Sequence, residues 1–505
     1  MEIRLPFSPP GIRIQLKLIN CMKKLFVLPL LHACLLTFAQ NSDLPADFLT
    51  SEFHNGRRNE LRKSLPANSV AVFFANPVRN RANDVDYVYH QDPDFYYLTG
   101  YKEPNAVLLI FKEQQTSANG ITYTEIVFVQ PKNERSEMRT GRRLGPTGVT
   151  DKLGLQMAFN NSEFSRYNLD FKKFDQVLFF DFQNDVRDEK PDSADLFDLI
   201  KQFKVKVGYP EKNPLTVTPE PEKKNLNTKE LDGIMDRLRG IKTAAELELV
   251  KKAVSISCRG QIEVMKAMKP GMSEREVQGI HEFVFKKYQA EDLGYPSIVG
   301  AGHNGCILHY IDNYKPEITS KELILMDLGA EFHGYTADIT RTIPVNGKFS
   351  PEQKQIYELV LMAQEEAMKV CKPGAKFSEL TAATRKIVDK GLTDLGIIKQ
   401  DEKHRYYPHG CCHHIGLDVH DRGEYAQLQE NMIITIEPGI YIPENSNCDP
   451  KWWGISVRIE DDYLLTKEGY IHLSASAPRT VKDIEDTMKL PSPLDSFVLP
   501  PIDKK

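Results

Sequence analysis

The hydrophobic pattern changes period several times along the chain, and those changes mark its elements. Phe53 to Ser64 carries apolar residues at helical spacing, whereas Ser69 to Phe74, Ala106 to Phe111, Glu125 to Val129 and Gln176 to Phe180 are short apolar runs that read as strands. Helical and strand stretches that alternate in this way predict an α/β layer domain. The cluster Phe95-Tyr96-Tyr97 is expected to pack inside it. Gly208 to Asn227 holds Pro210, Pro214, Pro219 and Pro221 among lysines and glutamates, a composition that builds no core and reads as a linker. A second domain begins near Leu231. Thr243 and Glu246 form a capping box opening a helix whose apolar stripe includes Leu247, Val250 and Val254. Helices are predicted to about Gln289, from Pro351 to Val370 and from Phe377 to Leu395. Strands are predicted around Ile307, and over Leu323 to Asp338, His413 to Val419, Met432 to Ile436 and Ile455 to Leu465. The expected fold class is an α/β N-terminal domain followed by an α+β C-terminal domain.

Composition narrows the choice of partners. With 505 residues, 41% hydrophobic and 27% charged, the chain has material for two cores, and neither a fibrous nor a broadly disordered protein fits. A formal net charge of −5 gives no electrostatic footprint for nucleic acid or an anionic membrane surface, so small or neutral partners are expected. Met22-Lys23-Lys24, the apolar run Leu25 to Phe38 and Thr37-Phe38-Ala39 ahead of Gln40 read as a signal peptide. Translation is then expected to start at Met22, with cleavage near Ala39 and Gln40 and export to the periplasm or medium of a bacterium. The apolar run falls short of the roughly twenty residues that span a bilayer, so no stable membrane span is expected. Leu31-His32-Ala33-Cys34 looks like a lipoprotein box, but the apolar residues after Cys34 argue against it. Cys258, Cys306, Cys371, Cys411, Cys412 and Cys448 form no CxxC pair and are expected to be small packing residues. The expected domains are 1–39 (signal peptide), 40–230 (N-terminal), 231–485 (C-terminal) and 486–505 (tail).

The candidate chemistry lies in the second domain. Leu323 to Thr342 reads as two strands joined through Gly334, with Asp327 closing the first and Thr336, Asp338 and Thr340 sharing one face of the second. Alone, Asp338 could pair with Arg341 and Asp327 could simply end a strand. Downstream, His409-Gly410-Cys411-Cys412-His413-His414-Ile415-Gly416-Leu417-Asp418-Val419-His420 is rich in histidine, and on a strand His413 and His414 would face opposite sides. Glu437 ends an apolar strand, and Arg458 and Glu460 alternate with Val457 and Ile459. A solvated Glu437 and an Arg458–Glu460 ion pair are the plain alternatives. Taken together, Asp327, Asp338, His413, Glu437 and Glu460 bring four carboxylates and an imidazole into apolar contexts. Such a set raises its own pKa values unless cations neutralise it, and two divalent ions would do so. Oxygen-rich donors suit a hard or borderline ion such as Mn²⁺.

The motifs Met-Asp-Leu-Gly, Ala-Asp-Ile-Thr-Arg-Thr, His-His-Ile-Gly-Leu-Asp-Val-His-Asp, Ile-Glu-Pro-Gly-Ile-Tyr and Val-Arg-Ile-Glu-Asp resemble, in this order, those of the pita-bread metallopeptidases, and most closely the Xaa-Pro aminopeptidases. In the first domain, residues 91–100 and Gly141-Arg142-Arg143-Leu144-Gly145 resemble that family's N-terminal domain. The resemblance implies that Asp327 chelates one metal, that Asp338 and Glu460 bridge both, and that His413 and Glu437 complete the other. It selects His413 over His414 as the ligand, matches His309 and His420 to two further active-site histidines, and matches His409, Arg458 and Tyr441 to the substrate pocket.

The implied reaction is hydrolysis of the bond between an N-terminal residue and a following proline. A hydroxide between two ions attacks, Glu437 shuttles the proton, and His309 and His420 donate hydrogen bonds. Proline-containing peptides are the expected partners, and a homodimer or homotetramer the expected assembly. A prolidase restricted to Xaa-Pro dipeptides is the alternative enzyme, and a non-catalytic peptide-binding module the alternative of another class. One position departs from the family: Arg139 stands where a tryptophan that reaches a neighbouring subunit is usual.

Overall fold

In the computed structural model, which describes residues 47–117, 119–182, 186–209, 225–497 and 499, strand Ser69–Phe74 lies inside a six-stranded mixed sheet. It pairs antiparallel with Val107–Thr116 and parallel with Gln176–Phe179. Thr122–Val129, Ala158–Asn160 and Leu226–Asn227 complete the sheet. Val70 and Val72 enter one core with Phe203 of helix Leu196–Val207. Ala71 and Phe73 enter the other, which continues into the second domain. Burial on both faces explains why these strands read as continuous apolar runs rather than alternating ones. The expected signal peptide, most of the linker and the end of the tail lie outside the described residues.

The segment around Phe95 is a short helix, Pro93–Thr99. Asp92 caps its start by accepting from the Phe95 N–H, and Gly100 ends it in the left-handed region at φ 69°. Phe95 and Tyr97 are fully buried, as packing residues should be.

In the second domain the Thr243–Glu246 capping box opens helix Ala244–Ala267. Helices Glu274–Lys287, Pro351–Val370 and Phe377–Asp394 surround several small sheets. Gln261 Nε2 donates to the carbonyls of Met326 and Ile339 at 3.1 and 2.8 Å, tying the first helix to the strands that carry the aspartates.

Several predicted strands are interrupted. The Leu323 to Asp338 stretch divides into Leu323–Leu328, Ala330–Phe332 and Tyr335–Thr336, and the chain then continues as Ile339–Pro344. The outer two pair with each other in one sheet, and the inner two belong to another. The crossing requires Gly329, where a Cβ would lie 2.1 Å from the Ala337 carbonyl oxygen. Ile455 to Leu465 likewise splits into Ile455–Arg458 and Asp461–Thr466, in separate sheets, leaving Glu460 at the break. No strand surrounds Ile307: it caps a 3₁₀ turn, Gly302–Cys306, and the local strand is Ile298–Ala301. Close approach of Gly300 to Gly305, where a Cβ would meet backbone at 2.8 Å, folds the chain back there. His413 to Val419 is a loop that touches the sheet through one bridge, His414 to Ile434, because Gly416 turns the chain by donating to the Asp418 carbonyl.

Candidate metal and peptide site

Strands Leu323–Leu328 and Ile339–Pro344 set Asp327 opposite Thr340. Asp338 precedes the second strand, with its N–H donating to Asp462 Oδ2 at 3.1 Å. Arg341 does not pair with Asp338. It lies fully buried against Asp461 at 2.7 Å and donates to the carbonyls of Thr340 and Glu460. That leaves Asp338 free to face the other acids.

His413 is held by its backbone, whose N–H donates to Thr435 Oγ1 at 3.1 Å. Its Nδ1 donates to the His414 carbonyl at 2.9 Å, so Nε2 is the nitrogen that presents a lone pair to the site. That nitrogen lies 3.5 Å from Asp338 Oδ2, 3.5 Å from Glu437 Oε1 and 3.8 Å from Glu460 Oε1. Donor atoms of Asp338, His413 and Glu460 fall within 4.8 Å of one another, and all three residues are buried. His414 faces away, with Nε2 3.2 Å from the Glu424 carbonyl and its ring against Tyr425.

Charge in this cluster is crowded. Burial, followed by the neighbouring Glu460 and Asp327 charges, pushes the Asp338 carboxyl well above its usual range. Burial and Glu460 do the same to Glu437. Burial works against the protonated His413 ring, but hydrogen bonds to Asp338 and Glu460 overcome it and raise that group. Burial would also raise Asp327, yet Arg458 and the Tyr295 hydroxyl outweigh it and hold Asp327 below the ordinary value. Buried acids that push one another's pKa upward around an imidazole are a donor set short of positive charge. Divalent cations fit that requirement.

The remaining residues form a wall and a rim. Arg458 Nη1 donates to the Tyr441 hydroxyl at 2.9 Å, and His409 Nε2 lies 2.9 Å from the same oxygen. Burial lowers the His409 pKa to about 4, keeping the ring neutral. His420 is exposed, and its ring meets that of His413 edge-on at 4.5 Å. Burial, followed by the neighbouring His413, lowers His420, and His309 is also exposed. The structure thus brings Asp327, Asp338, His413, Glu437 and Glu460 together with His409, His420, Tyr441 and Arg458 beside them, and turns His414 away.

Tyr295 was not among them. Its hydroxyl lies 2.6 Å from Asp327 Oδ1 and 2.6 Å from Asp338 Oδ1, between the two aspartates. Thr340 Oγ1 donates to Glu460 Oε2 at 2.7 Å, and its shared face with Asp338 was a signal for it. A single tyrosine in Gly294-Tyr295-Pro296 carried no such signal.

Residues 248–467 match the model of metallopeptidase family M24, and residues 54–177 match that of the aminopeptidase P N-terminal domain. The Xaa-Pro aminopeptidase of Haemophilus influenzae is 35% identical over 457 residues, which cover 87% of this chain and 98% of that protein. This chain belongs to the Xaa-Pro aminopeptidases of family M24. The family assignment carries with it the pita-bread architecture of the second domain and a metallo-exopeptidase activity. The Xaa-Pro aminopeptidase of Escherichia coli is 33% identical over 447 residues, covering 86% of this chain and 96% of that protein. A solved structure of Escherichia coli aminopeptidase P with the inhibitor Pro-Leu superposes with a TM-score of 0.76 at 31% identity, covering 87% and 98% of the two chains.

Proposed function

We propose that this chain is an exported aminopeptidase that removes the residue preceding an N-terminal proline bond, using two divalent ions, with Mn²⁺ the expected metal. The observation that carries the reading is the buried convergence of Asp338, Glu460 and Glu437 on His413 Nε2, with Asp327 joined to Asp338 through Tyr295. In this reading Asp327, Asp338, His413, Glu437 and Glu460 would hold the two ions. Bound there, the ions would supply Lewis acidity and lower the pKa of a water molecule.

The side chains divide the remaining work. Glu437 takes the proton as the water oxygen bonds to the peptide carbonyl carbon, and returns it to the proline nitrogen as the C–N bond breaks. His309 and His420 donate hydrogen bonds to the carbonyl oxygen as charge grows on it. Neutral His409, Tyr441 and Arg458 line the pocket from the buried side. The proline nitrogen has no hydrogen to donate, so shape rather than an N–H contact must select it. Arg139, exposed on helix Glu134–Thr140, would place a cation at a subunit boundary in a homodimer or homotetramer and favour short peptides with a free carboxylate. An Arg139→Trp variant with unchanged peptide-length preference would count against that role.

The deciding experiment incubates Mn²⁺-loaded protein with Xaa-Pro-Yaa-Zaa and with Xaa-Pro and follows products by mass spectrometry. Release of Xaa from the tetrapeptide is expected. Cleavage of the dipeptide alone would make the protein a prolidase, and cleavage of neither would make it a binding module. Appearance of the mature chain, beginning at Gln40, in the periplasm or medium checks export.

A further inference from the structure

Arg239, near the end of helix Glu230–Gly240, is almost fully buried and joins three parts of the fold. Its Nη1 donates to Asp94 Oδ1 at 2.7 Å, on the N-terminal domain's helix Pro93–Thr99. Its Nη2 donates to Asp418 Oδ2 at 2.7 Å and also to Asp421. Lys242 Nζ donates to the other oxygen of Asp421 at 2.7 Å and to the Arg239 carbonyl at 2.6 Å. Arg422 Nε reaches Asp94 Oδ2 at 2.9 Å. Arg239, Lys242 and Arg422 thus face Asp94, Asp418 and Asp421, with Asp232 and Asp236 also 3.0 and 3.4 Å from Arg422 Nη1, and the contacts made by Arg239 and Lys242 are directional hydrogen bonds.

Asp418 and Asp421 bracket His420 in the chain. The joint grips the loop from one side, while on the other the His420 ring lies edge-on to His413 at 4.5 Å. The loop has no slack at either end. A Cβ on Gly416 would lie 2.1 Å from Asp421 Oδ2, and one on Gly423 would lie 2.4 Å from the His414 ring.

We infer that Arg239 is a positioning residue that holds the His420 loop in its working place and ties that place to the N-terminal domain through Asp94. The inference rests on the reading of His420 as a group that touches substrate. Asp94 therefore reports on catalysis although it lies in the other domain and belongs to none of the residues around the metal site. Loss of one grip lets the ring drift, and a misplacement of about an ångström costs on the order of a hundredfold in rate.

The test is a double-mutant cycle in the Mn²⁺-loaded full chain. Asp94→Asn keeps the shape of the side chain and weakens one grip; Asp418→Asn weakens another at a residue that is half exposed, which protects the fold. Each is expected to lower kcat on Xaa-Pro-Yaa-Zaa by about tenfold or more, with KM and metal content within about twofold of the parent. In the His420→Ala background the same substitutions should change kcat by less than about twofold. Arg239→Lys should restore part of what Arg239→Met loses. Equal losses in both backgrounds, or an unchanged kcat in the single variants, would overturn the inference while leaving His420 in its role. An unchanged kcat for His420→Ala alone would instead remove the reading on which it rests.

Discussion

Arg458 Nη2 lies 2.5 Å from Asp327 Oδ2, with both side chains buried. The contact gives Asp327 a resident cation at hydrogen-bonding distance, whereas Glu460 Oε2 stands 3.9 Å from Arg458 Nε. Removing one member of a buried pair leaves an unpaired charge and costs about 3–5 kcal/mol. Arg458→Met should therefore lower the unfolding free energy of chelator-treated protein by about 3 kcal/mol. With Mn²⁺ bound, the ion takes over part of the compensation and the loss should fall to less than half. Urea unfolding with and without Mn²⁺ measures both; equal losses would mean that no ion reaches Asp327.

Asp338→Asn exchanges an ionisable donor for a neutral one where donor atoms of three residues lie within 4.8 Å. Metal content by elemental analysis and Xaa-Pro-Yaa-Zaa hydrolysis should both fall to background, with the circular dichroism spectrum unchanged. Full activity in this variant would sink the two-ion centre.

Tyr295→Phe deletes the hydroxyl that sits 2.6 Å from each aspartate. The loss of an outer hydrogen bond to ligating carboxylates lowers metal affinity by about 10–100-fold. Titration of activity with Mn²⁺ should shift to higher concentration by that factor while activity at saturation largely returns. A shift below about twofold would show that Tyr295 does not orient the acids.

Stability should fall on mild acidification because of two histidines remote from the site's chemistry. Burial lowers His54 to about 4 and His281 to about 3. Both rings are neutral in the fold and gain a proton on unfolding, so the unfolded chain binds more protons below its pKa of about 6.5. Their stabilisation is complete above that value and is lost as pH falls towards the folded pKa. Between pH 7 and pH 5 each should remove about 2 kcal/mol. His281→Gln, which keeps a polar partner for Ser297, should flatten the pH dependence of urea unfolding over this interval. An unchanged slope would place the proton uptake elsewhere.

Much of the site was legible because its acids interrupt apolar runs, and an ionisable group in such a run demands a reason. Asp327 and Asp338 lie on one chain segment that reads as two strands joined through Gly334, which brings them near each other. The breaks between sheets were not legible. A strand that crosses from one sheet to another keeps its two-residue period through the crossing, so Gly329 was the one mark of it within Leu323 to Asp338, and Ile455 to Leu465 carried none. The run at Ile307 was misread because an apolar side chain there is exposed to 54% on a turn, where periodicity says nothing about burial. Tyr295 and Arg239 were invisible for a further reason. Tyr295 meets its aspartates across 32 and 43 residues of sequence and Arg239 meets Asp94 across 145, distances that only a folded chain closes.

Three of the site's carboxylates occupy the places where ladders stop. Asp338 precedes Ile339–Pro344, Glu437 follows Ile433–Ile436, and Glu460 lies between Ile455–Arg458 and Asp461–Thr466. Only Asp327 sits within a paired strand. At each of those three positions a backbone bond outside the ladder sets the donor instead: the Asp338 N–H donates to Asp462, the Glu437 N–H to the Cys411 carbonyl and the Glu460 N–H to the Thr340 carbonyl. The donor ring is therefore assembled from the seams between sheets, and its shape depends on how those sheets are joined rather than on any one of them.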